Sequence, residues 1–476
     1  MAYALPEPAL APALRRPTAT IVAITVAGAS AVGGAVALQP LAGLLGVVAI
    51  AAALALVQRP HVAVYLMVTL APATAGLSRG LLVPGLRVSE VLIAGLATLV
   101  LLFAPRARPL PWTRVELLLL AYAALTAGLG GLDLALRHAP LTGSELGALL
   151  GPFQFVLLLR ATVVALPRER QRLRAAQLLL GAATVVCLTG LMQLANVGPT
   201  RSVLSHLTGS HLYSASVSEG VPRVTGPFNF WHELDGFLMP SLLLAFALLL
   251  GARTPRARLG YAVVLAVTGT TLLATATVGP LVATVLACLY VAWKRGVLHV
   301  VLAAAIPVVL IAAIALGGTL TGRAKQQYTA SASSYRLPLV PETLSFRYAV
   351  FREQSAPALR GRWATGYGPD LPPEFALGNF PYTETVYVTM LLRGGVPLLT
   401  VFVLLLLVTA RAARRAQHSA RTDLQWSIAT VVLAMTSAYI LLQLIESYLL
   451  DSGPPHTYWS FVALMLGAGA GRADAG

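Results

Sequence analysis

Apolar runs dominate the chain. Stretches of about 16 to 24 residues recur from near the N-terminus to the end, close to the roughly 20 that a helix needs to cross the hydrocarbon core. Their centres fall near Val32, Ile50, Val68, Leu96, Ala124, Leu157, Val186, Leu243, Val267, Leu286, Val309, Leu399, Leu433 and Leu464. This spacing predicts an all-α, polytopic transmembrane bundle of about 14 spans. The polar positions then give a topology. Arg15 and Arg16, Arg59, Arg106 with Arg108 and Arg114, PRERQRLR at 167–174, ARTPRAR at 252–258, Lys294 with Arg295, RAARRAQHSAR at 411–421 and Arg472 fall in every second gap. By the positive-inside rule those gaps are cytoplasmic.

Both termini are therefore expected inside. The chain divides into a Pro-rich, disordered N-terminal segment (1–18), membrane helices with short connections (19–316), a large outer loop (317–385) and C-terminal helices (386–472). Smaller outer loops are expected at 196–233 and 446–456. The first span has no convincing cleavage site behind it and is read as retained.

Composition supports the same picture. With 57% hydrophobic residues, 11% charged and a mean hydropathy of +0.76, the chain has too little polar surface for a soluble globule of this size. The formal net charge of +16 resembles a nucleic-acid signature. Most of it sits in short turns where topology accounts for it, so nucleic acid is excluded as a partner. Cys187 and Cys288 lie in separate predicted spans and imply neither a disulfide nor a redox pair.

The chemistry is expected in the outer loops. Connections between spans need few residues, so a loop as long as 317–385 has a use beyond connectivity. It carries Arg323, Lys325, Arg336, Arg347, Arg352, Arg360 and Arg362, a set suited to an anionic ligand. Within it PETLSFRYAVFREQSAP reads as one helix bounded by Pro341 and Pro357. Leu344, Arg347, Tyr348 and Phe351 share a face at helical spacing, which points Arg347 into the protein. Arg352 is rotated away by about 140° and meets water. A guanidinium on an apolar face needs either a structural carboxylate or a substrate phosphate. The turn GYG at 366–368 brings backbone close to a ligand or serves as a rigid connector.

Glu384, before the next membrane helix, either complements the helix dipole or acts as a general base at the bilayer surface. Tyr387 shares its face and is placed to orient the carboxylate or a sugar ring. Arg393, deeper in the same helix beside Gly394 and Gly395, is a candidate phosphate ligand that needs pairing or hydration. Arg160 is read as snorkelling to the cytoplasmic surface. In the smaller loop, PRVTGPFNFWHELDGFL sets Arg223 before a Gly-Pro turn and the aromatics Phe228, Phe230 and Trp231. These suit an interfacial belt, with Arg223 meeting lipid phosphates or a lipid-linked diphosphate.

Taken in order, these features resemble the O-antigen ligase and polymerase superfamily of bacterial envelope proteins, which includes Wzy-type polymerases and lipopolysaccharide core ligases. The resemblance rests on Arg223 with Gly226 and Phe228, on Arg347 followed by Phe351 and the GYG turn, and on ETVYVTMLLRGGVPLL from Glu384. The acidic first position of that last segment is nearer the polymerase type. The chain differs at Trp231 and His232, where Pro-Asn is common, and around Thr277, which lacks the usual Ser-Arg.

The resemblance implies a GT-C-like enzyme in the cytoplasmic membrane of a bacterium that moves a glycan from undecaprenyl diphosphate to an acceptor hydroxyl at the outer face. Its partners would be the lipid-linked glycan, an acceptor glycan, the bilayer and, as a candidate, a chain-length regulator. Arg223 and Arg347 would clamp the diphosphate with Arg393 and Arg352 in reserve, and Glu384 would take the acceptor's proton. The chain lacks Asp-x-Asp, His-x-x-His and Cys-x-x-Cys pairs, so neither a metal nor another cofactor is expected. Ligase-like transfer to another acceptor is the nearest alternative. A carrier with Arg160, Asp235, Arg393 and Glu446 along its path is the rival reading.

Overall fold

The computed structural model describes residues 55–104, 110–138, 142–218, 222–304, 342–369 and 385–470, apart from single-residue breaks at 82 and 84 and with the short pieces 318 and 321–322. Its longer helices are α1 (Pro60–Thr74), α2 (Val88–Phe103), α3 (Arg114–Leu136), α4 (Gly143–Ala165), α5 (Glu169–Leu194), α6 (Thr200–Thr208), α7 (Leu212–Ser218), α8 (Trp231–Gly251), α9 (Pro255–Ala274), α10 (Val278–Lys294), α11 (Glu342–Val350), α12 (Val386–His418), α13 (Asp423–Leu442) and α14 (Pro454–Ala470).

Seven of these, α3, α4, α5, α8, α9, α12 and α13, are long and apolar enough to cross a membrane. The chain is thus a helical membrane protein. Eleven of the fourteen expected centres lie on described helices; those at Val32, Ile50 and Val309 fall outside the described residues. Four of the eleven are on helices of 15 to 17 residues, α1, α2, α10 and α14. A full set of fourteen spans is therefore not established.

Helix α8 is the pillar of the bundle. Its sequence LMPSLLLAFALLL is apolar all round, which marks a helix enclosed by protein, and 83% of its apolar window is buried against 17% for α9. Helices α5, α9, α10, α13 and α14 pack on it. Close approach is set by Gly236, where an added Cβ would come within 2.6 Å of Pro454. Its carbonyl accepts the Tyr439 hydroxyl from α13 at 2.9 Å. Outside this centre, Leu102, Leu136, Leu259 and Val263 are exposed, as suits side chains that face lipid.

The two ends of the bundle differ in charge. At one end Arg295 of α10 pairs with Asp423 of α13 at 2.8 Å. Arg172 of α5 donates to the carbonyls of Leu166, Pro167 and Gly467. Arg160 meets Glu116 at 3.3 Å and lies over Trp112. The fully buried Glu116 supplies Arg160 with a counter-charge, and the arginine also donates to the Leu110 and Pro111 carbonyls. This end collects the basic turns. The opposite end holds the heads of α8 and α14 and the tail of α13, and the segment 342–369 belongs to it.

A long helix bends at that second end. Within α12, Gly394 (φ −151°, ψ 18°) and Gly395 (φ 64°, ψ −163°) leave helical geometry. The segment 363–368 docks into the break: Tyr367 N donates to Leu392 O at 2.6 Å, Gly368 N to Arg393 O at 3.0 Å, and Val396 N to Trp363 O at 2.7 Å. The freed backbone groups of the kink are thereby satisfied. Arg362 and Arg137 both pair with the buried Asp133 of α3, and Arg137 also donates to Tyr367 O at 2.8 Å. The GYG turn thus connects rigidly to α12. Its glycines bring backbone close to another helix.

Candidate functional site

The site forms at the head of α8. The strand-like stretch before it is strapped down by Gln193 of α5, whose side-chain oxygen accepts Thr225 N at 3.1 Å and Gly226 N at 3.0 Å. Gly226 holds φ +55°, a left-handed conformation that favours glycine. Arg223 is buried: its Nε donates to Thr275 O at 3.1 Å and its Nη2 to Thr277 Oγ1 at 3.0 Å, in the turn between α9 and α10. Its guanidinium stacks over Trp231, 3.7 Å from the ring centre, a cation–π contact.

These aromatics differ in burial. Phe228 is fully buried against Phe237, and Phe230 stacks on His232 at 4.9 Å. Phe230 and Trp231 are half-buried, so of the three only Phe228 is removed from the expected belt.

In the first turn of α8, Glu233 accepts from Asn229 N at 2.9 Å and Phe230 N at 3.4 Å, capping the orphan amides of the helix start. Its other oxygen accepts Ser452 N at 3.3 Å, which ties down the 446–453 connection. His232 Nε2 lies 3.5 Å from Asp451 Oδ2, and Ser447 donates to Asp451 Oδ1 at 2.8 Å. Burial, then the neighbouring Glu233 and Glu446 carboxylates, hold Asp451 well above the usual carboxylate range, against the opposing effects of the Ser447 hydroxyl and Arg87. Ligand atoms of His232, Glu446 and Asp451 all lie within 4.8 Å of one another.

Arg347 reaches this cluster from the large loop, with Nη2 3.7 Å from Glu446 Oε2. The guanidiniums of Arg223 and Arg347 both act electrostatically on His232. The two arginines singled out in separate loops therefore stand at one cluster, Arg223 on Trp231 next to His232 and Arg347 on Glu446. The helix that carries Arg347 runs from Glu342 through a π turn at Phe351–Ser355 to Ala358, matching its proline boundaries. Its expected inward face is wrong, however. Leu344, Tyr348 and Phe351 are exposed, and Ser345 and Ala349 are buried instead. Beside a membrane an apolar face can turn to lipid, so apolarity alone does not point inward.

The other expected residues lie elsewhere. Arg352 is exposed on the π turn, as its rotation from Arg347 predicts. Tyr387 donates to Ile440 O at 2.6 Å and meets Phe402 edge-on; its hydroxyl fastens α12 to α13 and is not offered to a sugar. Arg393 belongs to the kink of α12, and its charge acts on Tyr122 of α3. Glu384 lies outside the described residues. Of the residues expected along a carrier path, Asp235 and Glu446 are in the cluster, whereas Arg160 is at the opposite end.

Gln193, His232, Asp451 and Arg87 were not singled out by the sequence. Arg87, at the start of α2, donates to Ala75 O at 3.3 Å and acts electrostatically on Glu233 and Asp451. A polar residue at the very end of an apolar run, such as Gln193 or His232, was the available signal.

The arrangement defines a helical membrane protein with a buried, mixed-charge cluster at one end of its bundle. The chain matches no protein-family model and no curated protein.

Proposed function

We propose that the protein is a membrane glycosyltransferase that polymerises or transfers oligosaccharides carried on a polyprenyl diphosphate at the outer face of a bacterial cytoplasmic membrane. The observation that supports this reading most is that Arg223, stacked on Trp231, and Arg347, 3.7 Å from Glu446, stand at one cluster at the head of α8. Two guanidiniums from separate loops, set beside the head of a membrane helix, suit a diphosphate that arrives on a lipid tail.

In the reaction the acceptor hydroxyl oxygen attacks the anomeric carbon and the bond from that carbon to the diphosphate oxygen breaks. The hydroxyl proton passes to a carboxylate, with Glu384 proposed as that base, and the diphosphate leaves on its lipid. Charge gathers on the leaving diphosphate, and fixed arginines stabilise it where it develops. Arg347 exchanges the Glu446 carboxylate for a phosphate. Arg352 and Arg393 are retained as outer and deeper contacts for the same anion.

Incubating the purified protein with a lipid-diphosphate oligosaccharide and sizing the products tests the proposal. A ladder is expected for a polymerase and a single addition to a different acceptor for a ligase. No product from any acceptor, together with gradient-driven solute uptake in vesicles, would favour the carrier reading instead. The orientation has its own check. An impermeant maleimide added outside cells is expected to modify Ser218→Cys and to leave Arg256→Cys intact, both positions being exposed at opposite ends of the bundle. The reverse pattern would put the cluster inside the cell and remove the outer-face assignment.

A further inference from the structure

Among the described residues, the cluster at the head of α8 holds more carboxyl groups than arginines. Glu446 acts electrostatically on Asp235 and Asp451, Glu233 acts on Asp451, and the guanidiniums beside them are Arg87, Arg223 and Arg347. Of these carboxyl groups Glu233 and Asp235 are buried, whereas Glu446 and Asp451 are half-buried, as is His232. Like charges held this close destabilise each other unless a proton or a cation joins them.

Two buried groups point to where it would sit. Asp451 Oδ2, on the side facing His232, is closed to solvent and accepts no hydrogen bond, although Oδ1 is held by Ser447. Asp235 follows His232 by three residues on α8 and so shares its face. It is fully buried, and neither of its oxygens has a hydrogen bond of normal geometry. The Thr275 and Thr277 hydroxyls stand beside it, but Thr275 donates to Leu272 O at 2.7 Å and Thr277 to Thr275 O at 3.3 Å.

From this geometry we infer that His232, Glu446 and Asp451 form a binding site for one divalent cation, with Asp235 as a buried counter-charge beneath it. One imidazole and two carboxylates, with ligand atoms within 4.8 Å of one another, suit Mn2+ or Zn2+ better than a soft thiolate-seeking metal. The three ligands come from the first turn of the buried α8 and from the connection pinned to it through Glu233 and Ser452, so they are set before the ion arrives. The sequence expectation that no metal is held looked for ligand pairs within one short segment. Here the fold assembles them from distant ones. Arg347 and Arg223 stand on the same cluster, and a cation between them would complete a positive wall for a phosphate group. The binding claim stands on the geometry alone and does not depend on the glycan reading.

The test uses the full chain in detergent, stripped with EDTA and titrated with Mn2+, with free Mn2+ read by electron paramagnetic resonance. One saturable equivalent is expected. His232→Ala and Asp451→Asn should each weaken it by about tenfold or more, and His206→Ala, an exposed histidine elsewhere, should leave it unchanged. Mn2+ should also raise the melting temperature of the parent protein but not of His232→Ala, because a ligand that binds only the folded state stabilises it. Should Asp451→Asn fail to accumulate, Glu446→Gln carries the same comparison. Absence of saturable binding, or equal binding by the parent and the ligand variants, overturns the proposal and leaves a shared proton as what balances the cluster.

Discussion

Arg347→Ala and Arg223→Ala should each reduce glycan transfer from a lipid-diphosphate donor by about 10²- to 10³-fold, the usual loss when one fixed donor to a developing anion is removed. Protein reaching the membrane should stay near normal for Arg347→Ala, whose side chain is at the edge of the cluster beside Glu446. The Arg223 variant also loses its ties to Thr275 and Thr277, so its abundance must be measured alongside its activity. Lysine at either position should rescue poorly, since a point charge does not reproduce a planar fork. A second comparison separates loss of the ligand contact from simple charge imbalance. Arg347→Ala leaves Glu446 without that guanidinium among other carboxylates, and adding Glu446→Gln should restore stability without restoring transfer. Full transfer by both single variants would remove the diphosphate clamp from the proposal.

Gly395→Ala is the second large effect, and it concerns architecture. The residue holds φ +64°, and a Cβ there would lie 2.4 Å from Trp363 O. Left-handed strain alone costs about 1–3 kcal/mol. The overlap falls on backbone, which cannot rotate aside as a side chain can. Gly366, at φ +64° with its Cβ position 2.5 Å from Leu392 O, is the other half of the same lock and should respond in the same way. Both variants are expected to unfold at lower temperature in detergent and to expose the 363–368 segment to protease. Gly128→Ala on α3, where nothing lies within 4 Å of the added carbon, should behave as the parent protein. Equal melting of all four proteins would show that the docking of 363–368 adds nothing to stability.

These two predictions show what could be read from the sequence and what could not. The helices were legible because lipid demands long apolar runs: α8 or α13 can hardly be missed when a run of leucines or valines continues for a full crossing. The ends of the Arg347 helix were legible from two prolines. The direction of its face was not, because Leu344, Tyr348 and Phe351 are apolar and yet exposed. In water those residues would have to turn inward; next to a bilayer they need not. Tyr387 misled for a related reason. Its hydroxyl meets a backbone carbonyl on the neighbouring α13, a contact set by helix packing that spacing within α12 cannot show. Arg223 and Arg347 were each visible as isolated cations, but their presence at one cluster depends on how α8, α11 and the 446–453 connection come together. Gln193 showed only as a polar residue ending an apolar run, and Asp451 gains its role from tertiary contacts that its local sequence does not mark.

The enclosure of α8 also bears on biogenesis. A segment that finishes surrounded by other helices must first enter the bilayer with lipid around it, and only afterwards acquire its companions. Its leucine-rich length can do so unaided. Its head cannot, because His232, Glu233 and Asp235 would then meet hydrocarbon or headgroups with no Ser452 amide to receive Glu233 and no Asp451 beside the histidine. Those companions are synthesised 219 residues later, with the connection that leads into α14. Until that connection emerges, this patch must remain hydrated, so a distant stretch of chain seals the interior of the bundle.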